Sequence, residues 1–150
     1  MGPARDRALA YLAAHHVMTL ATAGPEGPWA AAVFYANEGF DLCFLSSPSS
    51  RHSAELRANA AAAATVQEDY ADWRAIRGVQ LEGRVEELAG DEAERTRALY
   101  GGKFPIARPG DDTPAPIAAA LAKVRWYRFV ARHAFWIDNA AGFGKREQVL

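Results

Sequence analysis

Cysteine occurs once in these 150 residues, at Cys43. No internal disulfide framework can hold the chain, and a thiol in an alternating apolar stretch reads as a packed side chain rather than a nucleophile. An excess of one charge is also missing. Lys and Arg number 17 against 18 Asp and Glu, for a net charge of −1, and the basic residues are dispersed, which argues against nucleic acid and anionic membrane as partners. Long hydrophobic runs are absent too. Met1 to His16 carries Arg5, Asp6 and Arg7 inside an Ala/Leu pattern, the mark of an amphipathic helix rather than a signal peptide or spanning segment, so the expected location is the cytoplasm. No G-x-G-x-x-G fingerprint, Walker loop or Ser/His/Asp nucleophile pattern occurs. His15, His16 and His133 lack ligand spacing and His52 with Glu55 is a weak i,i+3 pair, so no metal site is expected. What is present is a chain that is 50% hydrophobic, long enough to bury one core and read as a single domain over residues 1–150.

Periodicity organises that chain. Pro3 to His15 has helical spacing through Ala8, Leu9, Leu12 and Ala13, with proline suited to a helix start. The period then shortens: Val17 to Ala23 reads as a strand, Gly24 to Pro28 as a turn, and Trp29 to Ala36 as a second strand. Asn37-Glu-Gly39 is a hairpin signal before a third strand, Phe40 to Ser46. A helix follows from about Ser50. Ala60 to Gln67 leans to a fourth strand despite its alanines, and Arg74 to Leu88 reads as a long extended segment in which Gly78 and Gly83 permit bulges. Asp91 to Tyr100 reads as a helix ended by Gly101-Gly102, Phe104 to Pro116 as a proline-rich loop that includes Pro109, and Ile117 to Val124 as a short helix. Arg125 to Asp138 is the last strand, and Gly142 to Leu150 a polar tail. The fold class this implies is mainly β with peripheral helices (α+β), a small curled antiparallel barrel.

One run carries chemistry. Phe40 to Leu56 passes from strand through a Ser/Pro loop into a helix whose first turn holds Arg51 and His52. A helix N-terminus already attracts anions through its free N–H groups and dipole, and Ser46, Ser47, Ser49 and Ser50 can add hydroxyl donors. Cations in a first turn oppose the dipole, a frustration that a negative ligand relieves. The competing reading is a serine N-cap followed by two solvated side chains.

The order of helix, strand, Gly-Pro turn, aromatic strand and strand-Ser-loop-Arg-His helix, followed by Ile76-Arg-Gly-Val-Gln-Leu-Glu-Gly83, resembles the pyridoxamine 5′-phosphate oxidase-like flavin-binding split barrels. Ile76 to Gly83, Tyr100 with Phe104 to Arg108, and Asp138-Asn139 with Gly142 to Lys145 are similar to a small bacterial branch of them, the YhbP-like proteins. The resemblance implies a split antiparallel β-barrel that forms a homodimer, with flavin mononucleotide (FMN) in each of two interface clefts and a small-molecule substrate. It places Ser50, Arg51 and His52, with Ser46 at the preceding strand end, on the cofactor phosphate. Two departures stand out. His52 replaces the family's lysine, and the second strand, Ala30 to Tyr35, lacks the cations that classic oxidases carry there. Backbone groups around Ala32, Val33 and Phe34 can meet the ring edge. Gln80 points either to solvent or to a flavin carbonyl. Trp136 and the Lys145-Arg146 pair either close the site from the partner subunit or are core and solvated residues. The function implied is a flavin-dependent oxidoreductase, with a non-catalytic carrier or sensor of haem, deazaflavin or flavin as the alternative.

Overall fold

The computed structural model describes residues 2–108, 110 and 112–150; Pro109 of the proline-rich loop lies outside them. The chain opens with helix α1, Pro3–Ala14, which starts on proline and buries Ala4, Ala8 and Leu12 along one stripe. Strands β1 (Val17–Gly24), β2 (Gly27–Phe34), β3 (Ala36–Glu38) and β4 (Asp41–Ser46) follow, then helix α2 (Arg51–Ala58) and strand β5 (Ala61–Gln67). The long strand β6 (Arg77–Leu88), helix α3 (Gly90–Lys103), helix α4 (Ala115–Lys123), the long strand β7 (Arg125–Asp138) and a short β8 (Arg146–Gln148) complete it. All strand pairs are antiparallel, in the order β2-β1-β5-β6-β7-β4-β3, with β8 beside β7.

That order makes the sheet curl. Its first and last strands, β2 and β3, are consecutive in the chain and separated by Tyr35 alone, so the two ends of the sheet are brought together covalently. Tyr35 is fully buried; its N–H donates to the His16 carbonyl (3.0 Å) and its hydroxyl to the Leu12 carbonyl (2.7 Å). The result is an open half-barrel with helices at its periphery, as the split-barrel reading expected. The concave side holds the main core, including Leu12, Met18, Leu20, Leu42, Phe44, Val66, Val79 and Phe129. A smaller cluster of Leu88, Tyr100, Ala107 and Trp126 lies under α3.

Curvature is concentrated at one residue. Glu82 pairs with His133 but Gly83 pairs with Ala131, leaving Arg132 as the extra residue of a β-bulge. A Cβ at Gly83 would lie 2.0 Å from the Val130 carbonyl oxygen, so only glycine fits this approach. Of the two glycines expected to permit bulges, Gly83 has one, whereas Gly78 lies in unbroken register with Gln67 and Ile137.

Several boundaries differ from expectation. The second strand ends at Phe34, Ala36–Glu38 forms β3 where a hairpin turn is expected, and β6 starts at Arg77 rather than Arg74. Three further differences have tertiary reasons. Helix α3 runs through Gly101-Gly102 to Lys103 because Gly101 is where the Arg108 side chain packs, its Cγ 2.6 Å from the position a Cβ would take. Helix α4 begins at Ala115, with Pro116 in its first turn, where proline needs no partner for a missing N–H. The supposed polar tail contains β8. Strand β4 covers only Arg125 to Phe129 of β7, and β8 covers Phe135 to Ile137 farther along that edge. Backbone pairing of this kind leaves little signature in side chains. Among the described residues no helix is long and apolar enough to cross a membrane.

Candidate functional site

The site is built at the corner between β4 and α2. Ser50 caps α2, accepting the Ser53 N–H through its hydroxyl oxygen (3.2 Å), and this satisfies one of the free donors of the first turn. Ser46, the last residue of β4, is buried, and its hydroxyl lies 2.6 Å from His52 Nε2 and 3.4 Å from the Ser50 hydroxyl. Ser46, Ser50 and His52 therefore converge. Burial holds the His52 imidazole below its ordinary pKa, opposed by the charge of Glu55. Without a ligand His52 is a neutral hydrogen-bonding group at pH 7, not a standing cation.

Arg51 is engaged. Its Nε donates to Glu55 Oε1 (3.2 Å), and its guanidinium sits 4.2 Å from the centre of the Trp29 ring. Glu55 is buried and also accepts from the Thr22 hydroxyl (2.7 Å); this bond, followed by the Arg51 contact, holds its carboxyl below the usual carboxylate range. Gly24 makes room for that carboxylate, since a Cβ there would be 2.6 Å from Glu55 Cγ. These contacts tie α2 to the β1–β2 hairpin and aim Arg51 along β2. Glu55, read from the sequence only as a weak i,i+3 partner of His52, and Trp29, not singled out at all, are the neighbours that fix Arg51. The i,i+4 spacing of Arg51 and Glu55 was the available signal for one; nothing local marked Trp29.

The remaining candidates divide by sheet face. Directly paired residues project to the same side. Ala32, Thr19, Thr65, Gln80, Phe135 and Gln148 form one cross-strand row on the convex face, running over β2, β1, β5, β6, β7 and β8. Ala30, Ala21, Ala63, Glu82 and His133 form the next. Ala32 and Gln80 thus share a face three inter-strand spacings apart, about 14 Å. Phe34 lies on it too, exposed and 5.2 Å from the Phe104 ring. Gln80 is exposed, and its Oε1 accepts from Arg146 Nη1 (3.4 Å). Arg146 also lies 4.6 Å from the Phe135 ring centre.

Val33 and Trp136 point the other way, into the core. The Trp136 indole N–H is buried and has no hydrogen-bond partner among the described residues, and the side chain edges an open groove of about 660 Å³ with Arg7, Tyr11, Arg77 and Asp138. Lys145 lines a smaller adjoining cavity with Arg7, Trp136 and Glu147. Of the Lys145-Arg146 pair it is Arg146 that reaches Gln80. The candidates thus fall in three places: the corner, whose Ser46 shares the core-side face of β4 with Phe44, the convex face with Ala32, Phe34 and Gln80, and the groove behind β7. Cys43 is fully buried and free, its thiol pushed up by burial, as a packed cysteine should be.

Residues 4–133 match the family model described as pyridoxamine 5′-phosphate oxidase. The chain belongs to the pyridoxamine 5′-phosphate oxidase family. Within the family's range of relatives it is 31% identical to the UPF0306 protein YhbP of Escherichia coli over 138 residues, 91% of this chain and 86% of that one. Among solved structures it superposes on a heme binding protein of Mycobacterium smegmatis with a TM-score of 0.77 at 24% identity, over 99% of this chain but 58% of the other. It superposes on a FAD-binding protein of Mesorhizobium loti with a TM-score of 0.65 at 21% identity, over 83% of this chain and 85% of the other. These two likenesses establish the fold.

Proposed function

We propose that this chain is an FMN-binding protein that works as a homodimer, a flavin-dependent oxidoreductase acting on a small molecule from a single cytoplasmic domain. The observation that carries the reading is the convergence of Ser46, Ser50 and His52 on one corner, with Arg51 beside them on Glu55 and Trp29, in a chain of this family. The donor set suits a phosphate: hydroxyls, a guanidinium with nitrogens to spare, and an imidazole that an approaching dianion would charge. Bound there, FMN would supply the electron transfer.

The chain's own residues would bind and orient it. Ser46, Ser50, Arg51 and His52 would hold the phosphate, and the convex face of β2 would offer Ala32, the edge of Phe34 and the backbone at Val33 to a flat ring. Gln80 supplies an amide on the same face. Trp136 is packed in the core and would stay out of the site, whereas Lys145, on the far side of the sheet from Gln80, would serve a second copy's site rather than its own.

The test is the visible absorption spectrum of the purified protein, with mass spectrometry of what denaturation releases. A flavin spectrum and a released mass equal to FMN are expected. A Soret band with released haem, or a deazaflavin mass, would replace this reading with that of a carrier or sensor.

A further inference from the structure

The cations around the β4–α2 corner are unequally free. Arg51 is tied to Glu55 (3.2 Å), so the pair brings little net positive charge to the corner. His52 is held neutral by burial. Arg57, at the far end of α2, donates through Nη1 to the Pro48 carbonyl (3.0 Å) and so fastens the serine loop from behind. Strand β2, from Gly27 to Phe34, offers no charged residue at all. A dianionic group at this corner would thus meet hydroxyls and one compensated guanidinium. Such a site is short of charge.

The register of the sheet supplies what is missing. Ser46, the last residue of β4, pairs directly with Arg125, the first residue of β7. Side chains of directly paired antiparallel residues stand on the same face with Cβ atoms about 4.5–5.5 Å apart, so an arginine stem spans that gap easily. The same pairing two residues along, Phe44 with Tyr127, stacks its rings 5.2 Å apart, which shows that this part of the ladder follows the rule. Arg125 is exposed at the rim of the barrel, and among the described residues it forms no ion pair and no side-chain hydrogen bond. Its backbone is paired with that of Ser46, whose hydroxyl already joins His52 and Ser50.

We infer that Arg125 is the second cation of the corner and sets its preference for a phosphorylated ligand. The role rests on the flavin reading above and deepens it: a guanidinium from the last strand replaces the charge that β2 lacks. Arginine suits the task because it is always charged and its planar fork can donate two parallel bonds to phosphate oxygens.

The experiment compares FMN with riboflavin by flavin-fluorescence quenching on wild type, Arg125→Ala, Arg125→Lys and, as a control for net charge, Arg95→Ala on the exposed side of α3. Circular dichroism checks that each variant is folded. The Ala variant should raise the Kd for FMN about tenfold and leave that for riboflavin within about twofold. Lysine should restore most of the loss, and Arg95→Ala should change neither. If wild type prefers FMN and Arg125→Ala keeps that preference, Arg125 has no such role while the flavin reading stands. Equal losses for both ligands would likewise overturn it. Wild type that binds neither flavin would overturn the flavin reading and this role together.

Discussion

The two faces of one sheet are built from alternate residues of the same strands, yet they are made of different material. Toward the core β1, β5, β6 and β7 present Met18, Leu20, Val66, Val79, Leu81 and Phe129, nearly all without solvent access. Toward the outside the intervening positions are Thr19, Ala21, Ala63, Thr65 and Gln80, continued on β2 by Ala30 and Ala32. Strand propensity favours β-branched and aromatic residues, so alanine on a solvent-facing strand contributes little to a lone barrel. The concave face is filled for stability. The convex face is planed flat, which suits a surface that receives a planar ligand or a second copy.

Substitution can break this comparison most severely from the inside. Phe129 is fully buried between Leu42 and Val85, and Phe129→Ala should cost about 3–5 kcal/mol through lost burial and the cavity left behind. Thr19→Ala on the opposite face should stay within about 0.5 kcal/mol. Urea unfolding of both variants checks this; similar losses would mean that the convex face is structural as well.

A bulky charge on the convex face should do the reverse. Ala63 is exposed, between Ala21 and Glu82 in its row. Ala63→Arg should leave the unfolding midpoint nearly unchanged while light scattering shows a shift from dimer to monomer and flavin occupancy falls, because a shared cleft is then incomplete. A dimer that keeps its flavin would show that copies meet elsewhere.

The same division explains what could be read from the chain. Periodicity located every long strand, since alternation follows directly from one wet and one dry face, and Gly83 announced its bulge. The Ser46–His52 corner was legible because its residues are consecutive. Strand β8 was not, because it is held by backbone pairing of Arg146 to Gln148 with Ile137 to Phe135, continued just past its end by the Val149 N–H to the Ala134 carbonyl (2.8 Å). Neither the perch of Arg51 on Trp29 nor the opposite facing of Gln80 and Trp136 could be read. These depend on which strands become neighbours, and a strand's own sequence does not say that.

Next in size is the loss at the corner itself. Arg51→Ala should weaken FMN by about one to two decades in Kd, about 1.5–3 kcal/mol, and riboflavin far less, since the charge-assisted bond goes to the phosphate. Because Arg51 also braces Glu55, Arg51→Lys is the companion variant: it keeps a cation there but loses the planar fork, and should fall between the two. Paired fluorescence titrations decide it. Equal weakening of both flavins would mean that the substitution disturbs the corner through Glu55 rather than through the phosphate.

The smallest expected effect lies at His52 and has two opposite signs. In the free protein burial lowers its pKa, so as pH falls below the ordinary histidine value of about 6.5 the unfolded chain takes up a proton more readily than the folded one, and this contribution to stability declines. A phosphate against the imidazole works the other way, raising the pKa in the complex, so acidification through that range should tighten FMN binding even as it loosens the free protein. Relative to His52→Gln, which keeps a hydrogen-bonding side chain for Ser46 but cannot be charged, wild type should gain about threefold in FMN affinity from pH 8 to pH 6. The phosphate's own ionisation is common to both proteins and drops out of the ratio. Over the same interval wild type should lose more stability without ligand than the variant does. Parallel pH profiles for the two proteins would mean that His52 stays neutral in the complex and only positions the Ser46 hydroxyl.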